Sequence, residues 1–210
     1  MRFQDAARDA RAVVYAGIQA DPLVMRAAGL LAEATSTQRL LARAVMNGET
    51  VDPAGWRTMF PTLFGPAATG DAAEAERSAA ILEASLAVAD RGEQVRSQVR
   101  GALVEEVTAR LLARRVPAES VRRERRILFD GVRAEIHPYD VTVERDDAPE
   151  AYDCKWGARG INADVLHQLD DARTHAADED VTLSVALVVF DAARSCEVRL
   201  ARQTAPHAET

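Results

Sequence analysis

The sequence is poor in cysteine, which limits how its fold can be held together. Its 210 residues include only two cysteines, Cys154 and Cys196. Small secreted domains are usually stapled by several disulfides, and structural zinc sites need closely spaced cysteine or histidine pairs. The four histidines are scattered and form no such pair. We therefore expect a reduced, cytoplasmic protein without structural zinc, in which carboxylates hold any bound metal.

Long apolar runs are missing as well. No uncharged apolar stretch is long enough to cross a bilayer, which takes about 20 residues. The first nine residues are charged and do not resemble a basic segment before an apolar one. We expect neither a membrane span nor a signal peptide.

Lysine is almost absent. Of the 26 basic residues, 25 are arginine and Lys155 is the only lysine. This bias indicates that arginine replaces lysine wherever either side chain serves. Lys155 is therefore a candidate for a position that requires a compact ammonium group.

The charge distribution is uneven along the chain. A net charge of −7 argues against a protein that coats nucleic acid by charge alone, because phosphate contacts supply most non-specific affinity. Eight arginines nevertheless lie within residues 110–133. Either they cover solvated helix and strand faces, or they form a phosphate-binding surface, and the sequence leaves both interpretations open.

The first part of the chain has the apolar spacing of helices. Residues 35–37 are a candidate helix N-cap, residues 47–70 are rich in glycine and proline and predict a loop, and residues 71–89 predict another helix. With 48% hydrophobic and 28% charged residues, the composition is that of a globular protein. We predict an all-α N-terminal region over residues 1–90.

From residue 91 onward the pattern changes. A helix is predicted over 94–115, which Pro117 ends, and a second helix over 162–176 with Asn162 as its N-cap. Strands are predicted over 121–129, 132–145, 151–156, 181–190 and 196–201, with a tight turn at Asp130-Gly131 and the strand at 181–190 buried in the sheet. The predicted fold class of residues 91–210 is α/β, a mixed sheet flanked by helices in the order α-β-β-β-α-β-β.

Acidic residues and the lysine fall on two neighbouring predicted strands. Asp140 lies on one, and Asp153-Cys154-Lys155 lies on the next. Because side chains alternate along a strand, Asp153 and Lys155 point to one face and Cys154 to the other. A turn over 146–150 brings Asp140 close to Asp153, and the register of the turn decides whether they share a face. If they do, two carboxylates with water or carbonyl oxygens suit Mg²⁺ or Mn²⁺.

These motifs and their order resemble the PD-(D/E)XK nuclease superfamily, the restriction-endonuclease-like proteins, over residues 96–201. The family pairs a proline-acid motif on one strand with Asp/Glu-x-Lys on the next, here Pro138-Tyr139-Asp140 and Asp153-Cys154-Lys155, with one extra residue after the proline. Its leading helix carries a Gly-x-x-apolar-Glu pattern, matched by residues 101–105. A glutamine on its later helix is matched by Gln168.

The resemblance implies a divalent-metal-dependent nuclease that uses Mg²⁺ or Mn²⁺, acts on DNA more than on RNA, and forms a homodimer. It implies Asp140, Asp153 and Glu105 as metal ligands. Lys155 then orients or helps to deprotonate the attacking water, and Gln168 lies near the site.

Other interpretations stay open. Asp153 and Lys155 also fit an exposed charge pair on a strand, and Glu105 or the adjacent Glu106 fits the wet face of a helix. The chain also fits a catalytically inactive nuclease-like module that binds nucleic acid or a protein. A third interpretation is an assembly protein that acts through its N-terminal helices.

Overall fold

The computed structural model describes residues 1–6, 10–68, 70–130, 132–133 and 137–204, and only the backbone of residues 10, 11, 132 and 133. The chain forms two compact units, one of Met1–Arg8 with Thr108–Thr210 and the other of Asp9–Val107. We call them the sheet unit and the helical unit. The predicted division at residue 90 stays a prediction.

The helical unit is all-α in its described part, as predicted. Thr35 caps a helix: its Oγ1 accepts from the Gln38 backbone amide, and Gln38 Oε1 accepts from the Thr35 backbone amide. This reciprocal capping box confirms the predicted N-cap. The helices are α1 (Ala10–Gln19), α2 (Pro22–Ala32), α3 (Ser36–Asn47), α4 (Pro53–Met59), α5 (Pro61–Phe64), α6 (Ala72–Ala89) and α7 (Glu93–Leu112), of which the last extends into the sheet unit.

The predicted loop over 47–70 was wrong in its centre, where α4 and α5 form. Asp52 caps α4 by accepting from the amides of Ala54 and Gly55, and Pro53 occupies the first helical position. Proline lacks the amide hydrogen that a first turn leaves unbonded anyway, so an Asp-Pro pair starts a helix as readily as it ends one. The density of proline and glycine concealed this start signal.

The sheet unit contains a mixed sheet packed with helices, which confirms the α/β class. Its strand order is β1-β2-β4-β5-β6, with β3 paired to β2. Neighbouring strands are antiparallel except β5 and β6, which are parallel. The elements are β1 (Arg2–Asp5), β2 (Val121–Phe129), β3 (Val132–Arg133), β4 (Tyr139–Val143), β5 (Glu150–Lys155), α8 (Ala163–Asp178), β6 (Ser184–Val189) and α9 (Ala193–Thr204).

Helix α8 covers one face of this sheet. Asn162 caps it by accepting from the Val165 amide at 3.0 Å, which confirms the predicted N-cap. The core between α8 and the sheet consists of buried apolar side chains, namely Ile127, Phe129, Tyr139, Ala151, Leu169, Ala172, Ala176 and Val185. Burial of this apolar surface is the main stabilising contribution, and it holds β4 and β5 in place.

The sheet differs from the predicted one at its margins. Residues 2–5, expected within the helical region, form β1, and Phe3 packs against the α8 core. The predicted strand over 132–145 is two strands, β3 and β4, and residues 134–136 lie outside the described residues. The Leu128↔Arg133 and Phe129↔Val132 pairs leave room for the predicted two-residue turn, whose Asp130 has φ 43° and whose Gly131 is not described.

The predictions for the last two elements were also partly wrong. Residues 196–201 are helical within α9, because four of the six, Glu197, Arg199, Leu200 and Ala201, are good helix formers. The strand predicted as buried is β6, which ends the strand order of the described sheet and is mostly half-buried. No helix of the described residues is long and apolar enough to cross a membrane.

Candidate metal centre

The pairing of β4 with β5 brings Asp140 to the Asp153-Cys154-Lys155 segment. Val141 pairs with Tyr152 and Thr142 with Ala151, and Asp140 is the next residue on β4. Whether Asp140 and Asp153 share a face stays a prediction. Asp140 Oδ2 also accepts a hydrogen bond of 2.5 Å from the backbone amide of Cys154, between Asp153 and Lys155.

Lys155 and Asp153 form an ion pair at the end of β5. Lys155 Nζ donates to Asp153 Oδ1, and Asp153 is 7% exposed. Burial by itself lowers the pKa of Lys155, but the negative charges of Asp140 and Asp153 outweigh it, so the pKa is raised. Lys155 therefore forms an ion pair with Asp153, and the charge of Asp140 also favours its ammonium form.

Cys154 occupies the opposite side of the strand, as the alternation predicts. Its side chain is buried, and its Sγ lies 3.5 Å from Thr108 Oγ1 in the last turn of α7. A small, soft side chain fits such a confined position. The contact places the end of α7 against β5.

Glu124 is a candidate site residue that the sequence analysis missed. It lies on β2 between the pairs Arg123↔Val141 and Arg125↔Tyr139, directly across from Asp140, and carboxylate oxygens of Glu124 and Asp140 lie within 4.8 Å. Its backbone is left-handed, with φ 53°. For a non-glycine residue this costs about 1–3 kcal/mol and persists only where the surroundings enforce it.

One signal in the sequence could have drawn attention to Glu124. It is the single acid among four arginines, Arg122, Arg123, Arg125 and Arg126. We interpreted that run by its positive charge alone. A lone acid in such a run is a candidate for a position where a negative charge has a local role.

Glu105 is the third carboxylate of the group that could hold a metal ion. It lies on α7, in the part of that helix that belongs to the helical unit. It is 4% exposed and accepts hydrogen bonds from Tyr15 Oη and, at 2.7 Å, from Gln19 Nε2. Both donors lie on α1, one helical turn apart.

Gly101 explains the Gly-x-x-apolar-Glu pattern in this chain. A Cβ at Gly101 would lie 3.0 Å from Tyr15 Oη, the atom that bonds Glu105. The glycine therefore gives Tyr15 room to reach Glu105 from α1. Glu106 is buried as well, at 8% exposure, but it is not part of the acidic group.

The donor set suits a hard divalent cation. Mg²⁺ and Ca²⁺ take oxygen ligands, and two oxygens on opposite sides of such an ion lie about 4.2 to 5 Å apart. One carboxylate oxygen from each residue of the group lies within 4.8 Å of the others, close enough for ligands of one ion. A group of two glutamates and one aspartate, without nitrogen or sulfur, favours Mg²⁺ or Mn²⁺ over zinc.

Gln168 lies on α8 and is bonded to the segment that leads into β4. Its Nε2 donates to the carbonyl of His137 at 3.3 Å, and its Oε1 accepts from the His137 amide at 3.4 Å. The backbone carbonyl of Gln168 also accepts from Tyr139 Oη. Gln168 therefore holds the chain three residues before Asp140, and direct participation in chemistry stays a prediction.

The arginines of the basic segment have more than one environment. Arg115 pairs with Glu150 and bonds Tyr152, and Arg125 pairs with Glu144 and Asp5. Because Arg115 and Arg125 are already paired with carboxylates, they favour the interpretation that these arginines cover helix and strand faces. Arg122 is exposed on β2, where a phosphate group could reach it.

Gly160 confines the lysine from the loop after β5. A Cβ at Gly160 would lie 2.5 Å from Lys155 Cβ and 2.7 Å from Cγ, near the base of that side chain. We expect Gly160→Ala to lower the free energy of unfolding by about 1–3 kcal/mol through overpacking, and to displace the ammonium group. Urea denaturation and a cleavage assay measure the two effects.

Gly17→Ala is the matched control. Gly17 lies in α1, and an added Cβ there has nothing within 4 Å. It should leave stability unchanged or raise it by up to about 1 kcal/mol, because alanine is the better helix former. If Gly160→Ala behaves like Gly17→Ala, the loop does not confine Lys155.

Fold and site together define an α/β protein whose Glu/Glu/Asp group could hold a divalent ion. The chain matches no family model, and comparison with curated proteins and with solved structures found no significant match. None of these comparisons confirms the resemblance to the PD-(D/E)XK nucleases, which stays a prediction from the sequence motifs.

Proposed function

We propose that this protein is a divalent-metal-dependent nuclease that hydrolyses phosphodiester bonds of nucleic acid, with DNA as the favoured substrate. The observation that carries the proposal is the position of Asp140 against the Asp153-Cys154-Lys155 segment. An acid on one strand meets an acid and the chain's only lysine on the next. Carboxylates that can hold a divalent metal beside a cationic side chain suit metal-assisted phosphodiester hydrolysis.

In this proposal Asp140, Glu124 and Glu105 hold Mg²⁺ or Mn²⁺. The bound ion lowers the pKa of a water and offsets charge on the scissile phosphate. The Cys154 amide fixes the Asp140 carboxylate. The Tyr15 hydroxyl and the Gln19 side-chain amide donate to the Glu105 carboxylate and fix its orientation. Two of the three proposed ligands are therefore oriented before the ion binds.

Lys155 supplies positive charge next to the attacked phosphate. Asp153 positions its ammonium group, and the packing against Gly160 limits the paths of its stem. A fixed cation beside the reacting phosphate stabilises negative charge that develops in the transition state. The role of Asp153 as a direct metal ligand stays a prediction, since its carboxylate here bonds Lys155. A homodimer, expected from the family resemblance, is likewise a prediction.

Metal binding and cleavage are tested on the full chain. Labelled single-stranded and double-stranded DNA and RNA are incubated with the protein in Mg²⁺, in Mn²⁺ and in chelator. We expect cleavage with either metal and none in chelator. Cleavage that persists in chelator contradicts the carboxylate-metal site.

Glu124→Gln separates metal binding from cleavage. At about 100 times its Kd, a metal ion should stabilise the wild type by about 2.7 kcal/mol, which raises Tm by about 5 to 10 °C. The variant keeps the shape of the side chain but loses its charge, so most of this rise should disappear. Differential scanning calorimetry with and without Mn²⁺ measures it. An equal rise in both proteins excludes Glu124 as a ligand, and a rise without cleavage of any substrate favours the inactive binding module.

A further inference from the structure

Two aromatic residues directly follow the paired ends of β5 and β6. Lys155 pairs with Val189, and the Phe190 amide donates to the Lys155 carbonyl at 2.9 Å. Trp156 and Phe190 are therefore at the same level of neighbouring parallel strands, which are spaced about 4.8 Å apart. Their rings stack with centroids 4.9 Å apart and an interplanar angle of 14°.

This aromatic pair is not part of the core under α8. Both rings are half-buried, and neither belongs to the cluster that packs α8 on the sheet. Large aromatic side chains that serve only stability are usually buried in such a cluster. Here they lie at the ends of β5 and β6, directly after Lys155 and Val189 in the chain.

The loop that follows Trp156 is fixed in place beside Lys155. Gly157 has φ 84°, a conformation that glycine adopts without strain, and the Asp191 carboxylate accepts from the Ala158 amide at 2.8 Å. Residues Ala158–Gly160 then form a 3-10 helix whose Gly160 packs on the Lys155 stem. The aromatic pair and the loop thus belong to one ordered structure.

Arg159 projects from this 3-10 helix. Its side chain is exposed, and among the described residues nothing forms a hydrogen bond or an ion pair with it. It differs in this from Arg115 and Arg125, which are engaged by carboxylates. A guanidinium group with open donors is well suited to phosphate oxygens.

We infer that Trp156, Phe190 and Arg159 form a subsite for one unpaired nucleotide, so the substrate is single-stranded or locally unpaired nucleic acid. The inference rests on the proposed nuclease function. The base stacks on the aromatic pair, and Arg159 contacts the phosphate next to the one that Lys155 faces. In a duplex both faces of a base are covered by its neighbours, whereas an unpaired base can stack on protein.

Tryptophan fluorescence of the full chain in chelator tests binding without cleavage. The chain has two tryptophans, and Trp56 is buried in the helical unit with its Nε1 bonded to the Thr50 carbonyl. Quenching by a bound base therefore reports on Trp156. We expect quenching by a single-stranded oligothymidylate or oligouridylate and much less by a duplex of equal length. The DNA and RNA arms show which sugar is preferred.

Variants of the three residues test whether single-strand binding depends on this subsite. Trp156→Leu and Phe190→Leu should each weaken single-strand affinity roughly 10-fold or more, measured by fluorescence anisotropy of a labelled oligonucleotide, as the loss of one stacked base does. Trp156→Phe keeps a stacking ring and should stay within about threefold of the wild type. Arg159→Ala should weaken binding, while Arg202→Ala, at an exposed position on α9, should not.

The outcomes separate this inference from the proposed function. If the wild type binds and cleaves nucleic acid but Trp156→Leu binds single strands as tightly, the subsite is refuted and the nuclease proposal stands. A preference for duplex over single strands refutes it as well. If the wild type binds no nucleic acid and cleaves none, both proposals fail. Circular dichroism confirms that each variant is folded, and Arg159→Ala, at an exposed position, provides a test that does not depend on the aromatic packing.

Discussion

Asp140→Asn is expected to reduce metal-dependent cleavage by a factor on the order of 10² to 10³, the usual effect of removing one electrostatic group from a reaction centre. Asparagine keeps an oxygen that accepts from the Cys154 amide, so the local backbone should be retained. The charge that holds the ion is lost. In chelator, Tm should change little, because the carboxylates of Asp140 and Glu124 repel each other when no ion lies between them.

The assay is the initial rate of cleavage at several Mn²⁺ concentrations. If Asp140 is a ligand, high Mn²⁺ should restore part of the rate, since weakened binding is overcome by mass action. Asp171→Asn, at an exposed position on α8, removes the same charge elsewhere and should leave the rate unchanged. A folded Asp140→Asn variant with a normal rate would remove Asp140 from the site.

The second large effect is expected for Lys155→Arg, which keeps the positive charge. Lysine ends in a compact ammonium on a flexible stem, whereas arginine ends in a wide planar fork that stays protonated. Gly160 packs against the Lys155 stem, and Asp153 pairs with its ammonium group, so the space for a larger group is limited. We expect a loss of rate on the order of 10² or more.

The control for Lys155→Arg is an exchange of the same two residue types at a position away from the site. Arg202→Lys on α9 is exposed and should be silent in both rate and Tm. Cleavage rate is measured beside circular dichroism for both variants. Because arginine fills every other basic position of this chain, a folded Lys155→Arg variant with near-normal rate would show that the lysine is there by chance.

The two predictions test different parts of the site. Asp140 is expected to act through metal affinity, so its variant should respond to the Mn²⁺ concentration. Lys155 is expected to act on the phosphate and the water, so its variant should bind metal normally and cleave slowly at any Mn²⁺ concentration. A thermal shift with Mn²⁺ distinguishes them, because the rise in Tm should persist in Lys155→Arg and shrink in Asp140→Asn.

Local sequence patterns predicted the structure correctly where the interactions that decide it lie within a few residues of each other. The caps at Thr35 and Asn162 were predictable because a side chain bonds an amide three residues later. The ion pair of Asp153 and Lys155 was predictable for a similar reason, since residues two apart on a strand share a face. The helix α9 was not, because its apolar residues alternate like those of a strand while its intrinsic propensity is helical.

The sequence by itself therefore indicated Asp140, Asp153 and Lys155 as candidate residues on β4 and β5, and the tertiary structure decided what surrounds them. The Asp140 bond to the Cys154 amide depends on the register across a hairpin, which no short segment specifies. Glu124 joins Asp140 only through the pairing of β2 with β4 and its left-handed backbone. Tyr15 reaches Glu105 across 90 residues of sequence. Contacts at such separations are set by packing of whole elements, so a periodic pattern or a motif contains no information on them.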